Sequence, residues 1–344
     1  MGMKQIFFSV GSTALFSLFC RVRLTEREKD GILTLNKNAE EFRMKHKISI
    51  CIDELQAKYG DRRALELAGE MGVDAVDFSL LYYDDTLYKK SEAEITAEMR
   101  ALRDYAKGLG IEIGQTHGRI VGFRNDPSCD AEVVRLAGLD CLATAALDAP
   151  YCVMHTVSTI FMGADADPKL MHKLNFDMFT AILPYAKRYG IKVATETFGD
   201  APGVGVCDFF GNLKEMLIGF NRISAAVGDL ADSFCLCMDT GHTNKATRFA
   251  GNPTPGDAIR MLGSRIEVLH LNDNDTLTDQ HKAPMTGTVD WDDVLSALEE
   301  IGYRGNYNLE LYLAHFGKGF EYETAEFGVK VLRKMLRDRY GDEA

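Results

Sequence analysis

The chain has 344 residues, 46% of them hydrophobic and 26% charged, an ordinary globular composition able to bury a large core. Its formal net charge is −12, and the first 43 residues are themselves net basic, so the remainder is more acidic still. That field disfavours a polyanion such as nucleic acid as the main partner. Eight cysteines without a C-x-x-C pair give neither a disulfide framework nor a structural zinc site, and read as small core residues.

An apolar run at residues 6–20 follows Met-Gly-Met-Lys, but it is too short for a comfortable membrane span and no small-residue cleavage site follows it. Residues 1–43 are therefore expected to be a poorly structured extension of a cytoplasmic chain, with no membrane partner. From residue 44 to about 340, short apolar runs alternate with longer amphipathic ones. Strands are expected at 48–52, 75–80, 111–115, 151–154, 192–195, 234–238, 267–269 and 307–309. Helices are expected between them at 62–71, 92–109, 131–145, 169–189, 212–227, 257–262 and 291–301, and after the last strand at 324–336. Eight consecutive strand–helix units predict one α/β domain, a (β/α)₈ TIM barrel. Gly72, Gly110 and Gly190 stand where a helix gives way to the next strand, where a left-handed cap suits glycine.

Barrels of this kind carry their chemistry where strands end and βα loops begin. Strand three ends at Thr116-His117 and strand four at Met154-His155. Strand five ends at Thr195-Glu196, and strand six at Met238-Asp239 with His242 three residues on. Strand seven ends at Leu269-His270, with Asp279 and His281 in the following loop, and strand eight ends at Leu309-Glu310. Five of the eight histidines thus fall at strand ends or just after them. Glu196, Asp239 and Glu310 converge above the barrel, where two charges 5 Å apart repel by about 3 kcal/mol at an effective dielectric near 20. Three ionised carboxylates in that space need a cation or a raised pKa. With His270 they make a three-oxygen, one-nitrogen set suited to one divalent metal, Mn²⁺ first, with Mg²⁺, Co²⁺ and Zn²⁺ also fitting.

Ala194-Thr195-Glu196-Thr197, Met238-Asp239-Thr240-Gly241-His242, His270-Leu271-Asn272-Asp273-Asn274, Gly287-Thr288-Val289-Asp290-Trp291 and Glu310 resemble the xylose isomerase-like barrel superfamily over about residues 45–337. The resemblance implies a carbohydrate substrate and a sugar or sugar phosphate isomerase or epimerase. Glu196, Asp239, His270 and Glu310 would hold the metal, and Glu196 and Glu310 would serve as acid and base. His117, His155, His242, Asp279 and His281 would bind substrate or additional metal. The apurinic endonucleases of the same superfamily use such an extended set for two further zinc ions, so a zinc phosphodiesterase is an alternative. An inosose dehydratase and a non-catalytic sugar-binding relative are others. Against a nuclease, the loop at 198–210 has no basic residue, and the loop at 240–256 has only Lys245 and Arg248. Oligomeric state is left open, a homo-oligomer included.

Other residues carry two readings each. Arg119 and Arg124 are either a clamp for an acidic substrate group or solvated loop arginines. Trp291 is either a helix-start packing residue or a substrate platform, and Phe198 a pocket wall or core. His172 is expected at the surface, and His315 is a candidate for reaching the mouth.

Overall fold

The structure, a computed structural model, describes residues 46–341. The expectation for residues 1–43 lies outside the described residues. Among the described residues eight parallel strands form one sheet: β1 (Ile48–Cys51), β2 (Ala75–Ser79), β3 (Glu112–His117), β4 (Tyr151–Met154), β5 (Lys192–Glu196), β6 (Phe234–Asp239), β7 (Ile266–His270) and β8 (Tyr307–Leu309). They pair in chain order from β1 to β7, and β8 returns to pair with β1. Between β7 and β8 the barrel closes just past the strand ends. There Leu271 N donates to Asn308 O at 2.8 Å, and Glu310 N donates to Leu271 O at 3.2 Å. This single bridge nearly closes the barrel, and the TIM barrel read from the sequence is the fold.

The strand register decides which side chains can do chemistry. Successive strand residues point to opposite faces. Val153, Ala194, Cys235, Cys237 and Val268 form a separate small cluster that fills the barrel interior. Their strand neighbours Cys152, Met154, Val193, Leu236, Met238 and Leu269 pack outward into the main core against the helices. Continuing that parity by two residues brings His155, Glu196, Asp239 and His270 to the interior at the C-terminal mouth. The free cysteines of the strands are buried, as core residues should be.

The helices form the outer layer and are capped where the sequence allows. Glu92–Gly108 opens with a reciprocal box between Ser91 and Glu94, a feature whose loss typically costs about 1 kcal/mol. Gly72 and Gly190 adopt φ of 72° and 73°, the left-handed conformation that only glycine takes cheaply. Several boundaries differ from the sequence reading, among them a helix Thr240–Ala246 in what read as the loop after β6. A helix Asp53–Tyr59 follows β1 directly, ahead of Asp61–Glu70. β3 runs to His117, the strand end read from the sequence, and that histidine is part of the ladder. No helix among the described residues is long and apolar enough to cross a membrane.

Candidate metal centre and active site

Glu196, Asp239, His270 and Glu310 each bring one ligand atom to the mouth, all within 4.8 Å of one another. His270 Nδ1 lies 3.2 Å from Glu196 Oε1 and 3.2 Å from Glu310 Oε2. Asp239 does two further jobs. Its Oδ1 caps the helix Thr240–Ala246, accepting His242 N at 2.5 Å, and its Oδ2 accepts Asn272 Nδ2 at 2.8 Å. That helix sits so close to the loop after β7 that a Cβ on Gly241 would meet Asn272 Oδ1 at 1.8 Å. Close approach, not a special φ, requires glycine there.

The remaining residues singled out from the sequence surround the quartet. His117 Nε2 lies between the glutamates, 3.6 Å from Glu196 Oε2 and 3.7 Å from Glu310 Oε1, and His155 Nε2 is 3.1 Å from Glu196 Oε2. His242 Nε2 and His281 Nε2 face Asp279 Oδ2 at 3.5 and 3.6 Å. Ligand-competent groupings include His117–His155–Glu196 and Asp239–His242–His281 besides the quartet. His117, His155, Glu196, His242, Asp279, His281 and Glu310 line a cavity of about 220 Å³ whose rim includes Asp53, Glu54, Ile120 and Tyr312, with Asp239 and His270 fully buried behind it. No lysine or arginine lines this cavity among the described residues.

Charge is balanced by imidazole protons. Burial opposes ionisation of His117, yet Glu196 and Glu310 beside it push its pKa up to about 9. His242 and His270 are also raised well above the ordinary range, against burial, by neighbouring negative groups, Asp239 foremost for His242. For His155 burial outweighs Glu196, and its pKa falls. Burial lifts the Asp239 carboxyl to about 6 against the pull of His242, whereas His270 holds Glu310 at about 2 in spite of burial. Glu196 is held well below the usual carboxylate range, with His270 and His155 overcoming its burial.

The donor set fits a divalent ion on the chemistry of its atoms. Buried Glu196 Oε2, Glu310 Oε2 and His281 Nδ1 make no hydrogen bond. Buried acceptors of this kind cost free energy unless something else satisfies them. Three carboxylates and one imidazole nitrogen aimed at one point, with an open cavity above, leave coordination positions for a substrate.

Three residues to which the sequence reading gave no site role support this arrangement. Asp77 on β2 is fully buried and accepts from Gln115 Nε2 at 2.9 Å, with its Oδ2 3.1 Å from His270 Nε2. A lone Asp inside the apolar run Ala75–Ser79 was its signal. Asp273 accepts from Gly287 N, Val289 N and Trp291 Nε1, tying the segment before helix Trp291–Glu300 to the end of β7. Trp291 is therefore a buried packing residue. Lys245, inside the helix capped by Asp239, is buried with its ammonium 2.6 Å from Asp200 Oδ1.

Neither reading of Arg119 holds. It is buried, with Nε 2.6 Å from Asp140 Oδ2 and Nη1 bonded to both oxygens of Asp84, so it is neither solvated nor free to clamp a substrate. Arg124 lies over the Phe161 ring at 4.0 Å. His172 is not a surface residue, because it bonds Glu215 at 2.8 Å and packs edge-on to Phe209 and Phe210. His315 is exposed and absent from the cavity wall. Phe198 stacks on His242 at 5.6 Å and meets His155 edge-on at 4.8 Å, beside the mouth.

Comparison with known families turns the strand-end pattern into a kinship. The family described as xylose isomerase-like TIM barrel matches residues 65–337. The chain belongs to that family. An inosose isomerase of Bacillus subtilis (strain 168) is 28% identical over 176 residues, 48% of this chain and 55% of that protein. The chain spans about half to three fifths of the length of the curated relatives it matches. Among solved structures, the IOLI protein with a bound zinc atom superposes with a TM-score of 0.63 at 19% identity, covering 85% of this chain and 97% of that one. A D-psicose 3-epimerase crystallised in the presence of D-fructose gives 0.63 at 16% identity, covering 86% and 99%. At those identities the likeness is one of fold.

Proposed function

We propose that the protein is a divalent-metal-dependent carbohydrate isomerase or epimerase acting by proton transfer next to a carbonyl. The observation that carries this reading is the convergence of Glu196 and Glu310 on the floor of one cavity, with His270 and Asp239 completing a metal-competent set. A divalent ion held by Glu196, Asp239, His270 and Glu310, Mn²⁺ before Mg²⁺, Co²⁺ or Zn²⁺, would supply Lewis-acid polarisation of a carbonyl, which acidifies the C–H of the neighbouring hydroxyl-bearing carbon. One of the two glutamates takes that proton, and the other delivers one to the opposite face or to the adjacent carbon. His117 and His155 offer N–H donors to substrate hydroxyls, and Phe198 packs behind His155 and His242.

Size and charge narrow the substrate. The 220 Å³ cavity is smaller than the roughly 300–1,000 Å³ typical of sites for drug-sized ligands, and suits a monosaccharide or cyclitol. With no lysine or arginine in its wall, the cavity offers no ammonium or guanidinium to clamp a phosphate ester, which supports an uncharged sugar as substrate. The activity of one relative, the inosose isomerase of Bacillus subtilis, supports the same class. Stripping the protein with a chelator, restoring one metal at a time and following free ketoses and inososes by NMR tests the proposal. Interconversion of stereoisomers or positional isomers only after metal is returned is the expected result.

The groupings His117–His155–Glu196 and Asp239–His242–His281 favour a second reading, a zinc phosphodiesterase with several metals per chain. It requires two to three equivalents of zinc by elemental analysis and salt-sensitive DNA binding. The acidic surroundings of the mouth stand against it.

A further inference from the structure

Beside the His242–Asp279–His281 corner lies an ammonium that the proposed reaction does not use. Lys245 is 3% exposed, and its Nζ is 2.6 Å from Asp200 Oδ1 and 3.4 Å from Asp279 Oδ1. Asp200 is bonded by a second cation, Arg248, as well. Two positive side chains thus share one aspartate, and the other carboxylate within reach of Lys245 is Asp279. On its far oxygen, Asp279 faces His242 and His281 at 3.5 and 3.6 Å. A buried ammonium cannot be left without a counter-charge, and a dication coordinated by Asp279 would stand within a few ångströms of it in a site of low effective dielectric.

We propose that Lys245 is the resident cation of this corner and keeps it from acting as a metal site. Asp279, His242 and His281 form with it an ion network that closes one side of the mouth. Metal is confined to the groups centred on Glu196. The proposal rests on the reading of the Glu196 quartet as a metal site, and concerns how many ions the mouth admits.

Zinc content per chain, measured by elemental analysis after equilibration with Zn²⁺ and removal of free ion, tests it without recourse to activity. In Lys245→Met, an isosteric neutral side chain leaves Asp279 without its cation, and zinc content is expected to rise by one equivalent over the wild type. Lys245→Arg keeps the charge and is expected to keep the wild-type count. In the otherwise wild-type chain, Asp279→Asn is expected to lose no zinc, because Asp279 is not a ligand there. That partly buried position, outside the helix that carries the lysine, also guards against a folding failure at the buried lysine, which circular dichroism would show. A folded Lys245→Met with unchanged zinc, or loss of an equivalent in Asp279→Asn, overturns the proposal. Zinc absent from every form would overturn the metal reading of the quartet itself, and this proposal with it.

Discussion

Asp77 Oδ2 lies 3.1 Å from His270 Nε2, and both side chains are completely buried. The contact fixes the imidazole so that its other nitrogen, Nδ1, points to Glu196 and Glu310. Gln115 Nε2, bonded to the same oxygen, holds the carboxylate in place. Carboxylates that orient a metal-binding histidine in this way typically contribute 10–100-fold to affinity. Asp77→Ala is expected to weaken metal binding by about that factor, measured by competition with a chromophoric chelator. Unchanged affinity in a folded variant would remove Asp77 from the account.

Glu196 and Glu310 are proposed to handle the substrate proton from opposite sides. Either one changed to Gln keeps the side chain's size and removes its basicity. Turnover should fall by about 10²–10⁴-fold for each, the usual contribution of general acid–base catalysis. Metal content measured on the same samples separates a loss of proton transfer from a loss of ion. A variant with full metal content and near-normal turnover would exclude that glutamate as acid or base.

His117 carries a pKa of about 9 in the metal-free fold against an ordinary 6.5. Between those values the folded chain holds a proton that the unfolded chain has released. The stabilisation is complete below pH 6.5 and is lost as pH rises through 9. The melting temperature of the metal-free protein should therefore decline over that interval. A protonated His117 beside Glu196 and Glu310 repels a dication held by them, so metal affinity should climb as pH rises through the same interval, and the gap between loaded and stripped melting temperatures should widen. Calorimetry at several pH values checks both slopes, and a flat metal-free profile would contradict the charge balance described.

Gly241 lets the helix capped by Asp239 approach Asn272. A methyl group there collides with a side chain that is itself hydrogen-bonded to a proposed metal ligand. Gly241→Ala is expected to cost about 1–3 kcal/mol of stability, as overpacking commonly does, and to reduce metal affinity at the same time. Chemical denaturation and the chelator competition measure the two effects. Loss of neither would mean that Asn272 can move without consequence.

The barrel and the position of its mouth were legible because two simple periodicities coincide. Strands such as Phe234–Asp239 are continuous apolar runs, and the change to polar chemistry at Asp239 marks the strand end. Parity then places Glu196 and His270 on the interior without any knowledge of neighbours. What escaped the sequence depends on partners distant in the chain. Asp77 and His270 are 193 residues apart, so nothing local shows that the carboxylate serves the imidazole. Arg119 looked available to a substrate because Asp84 and Asp140, which hold it, lie 35 and 21 residues away. His172 read as surface for the same reason, since Glu215 comes from another helix. Lys245 read only as one of two basic loop residues, because its partners Asp200 and Asp279 come from other loops.

The central claim is that metal and two glutamates move a proton on a free carbohydrate. Incubating the metal-loaded protein with free ketoses and inososes in deuterated water, and reading deuterium at the carbon beside the carbonyl by NMR, tests it most directly. Incorporation that disappears with a chelator and in Glu310→Gln is the predicted result. Sugars that bind the metal-loaded protein yet take up no deuterium would contradict it, and would leave a site that holds carbohydrate without transforming it.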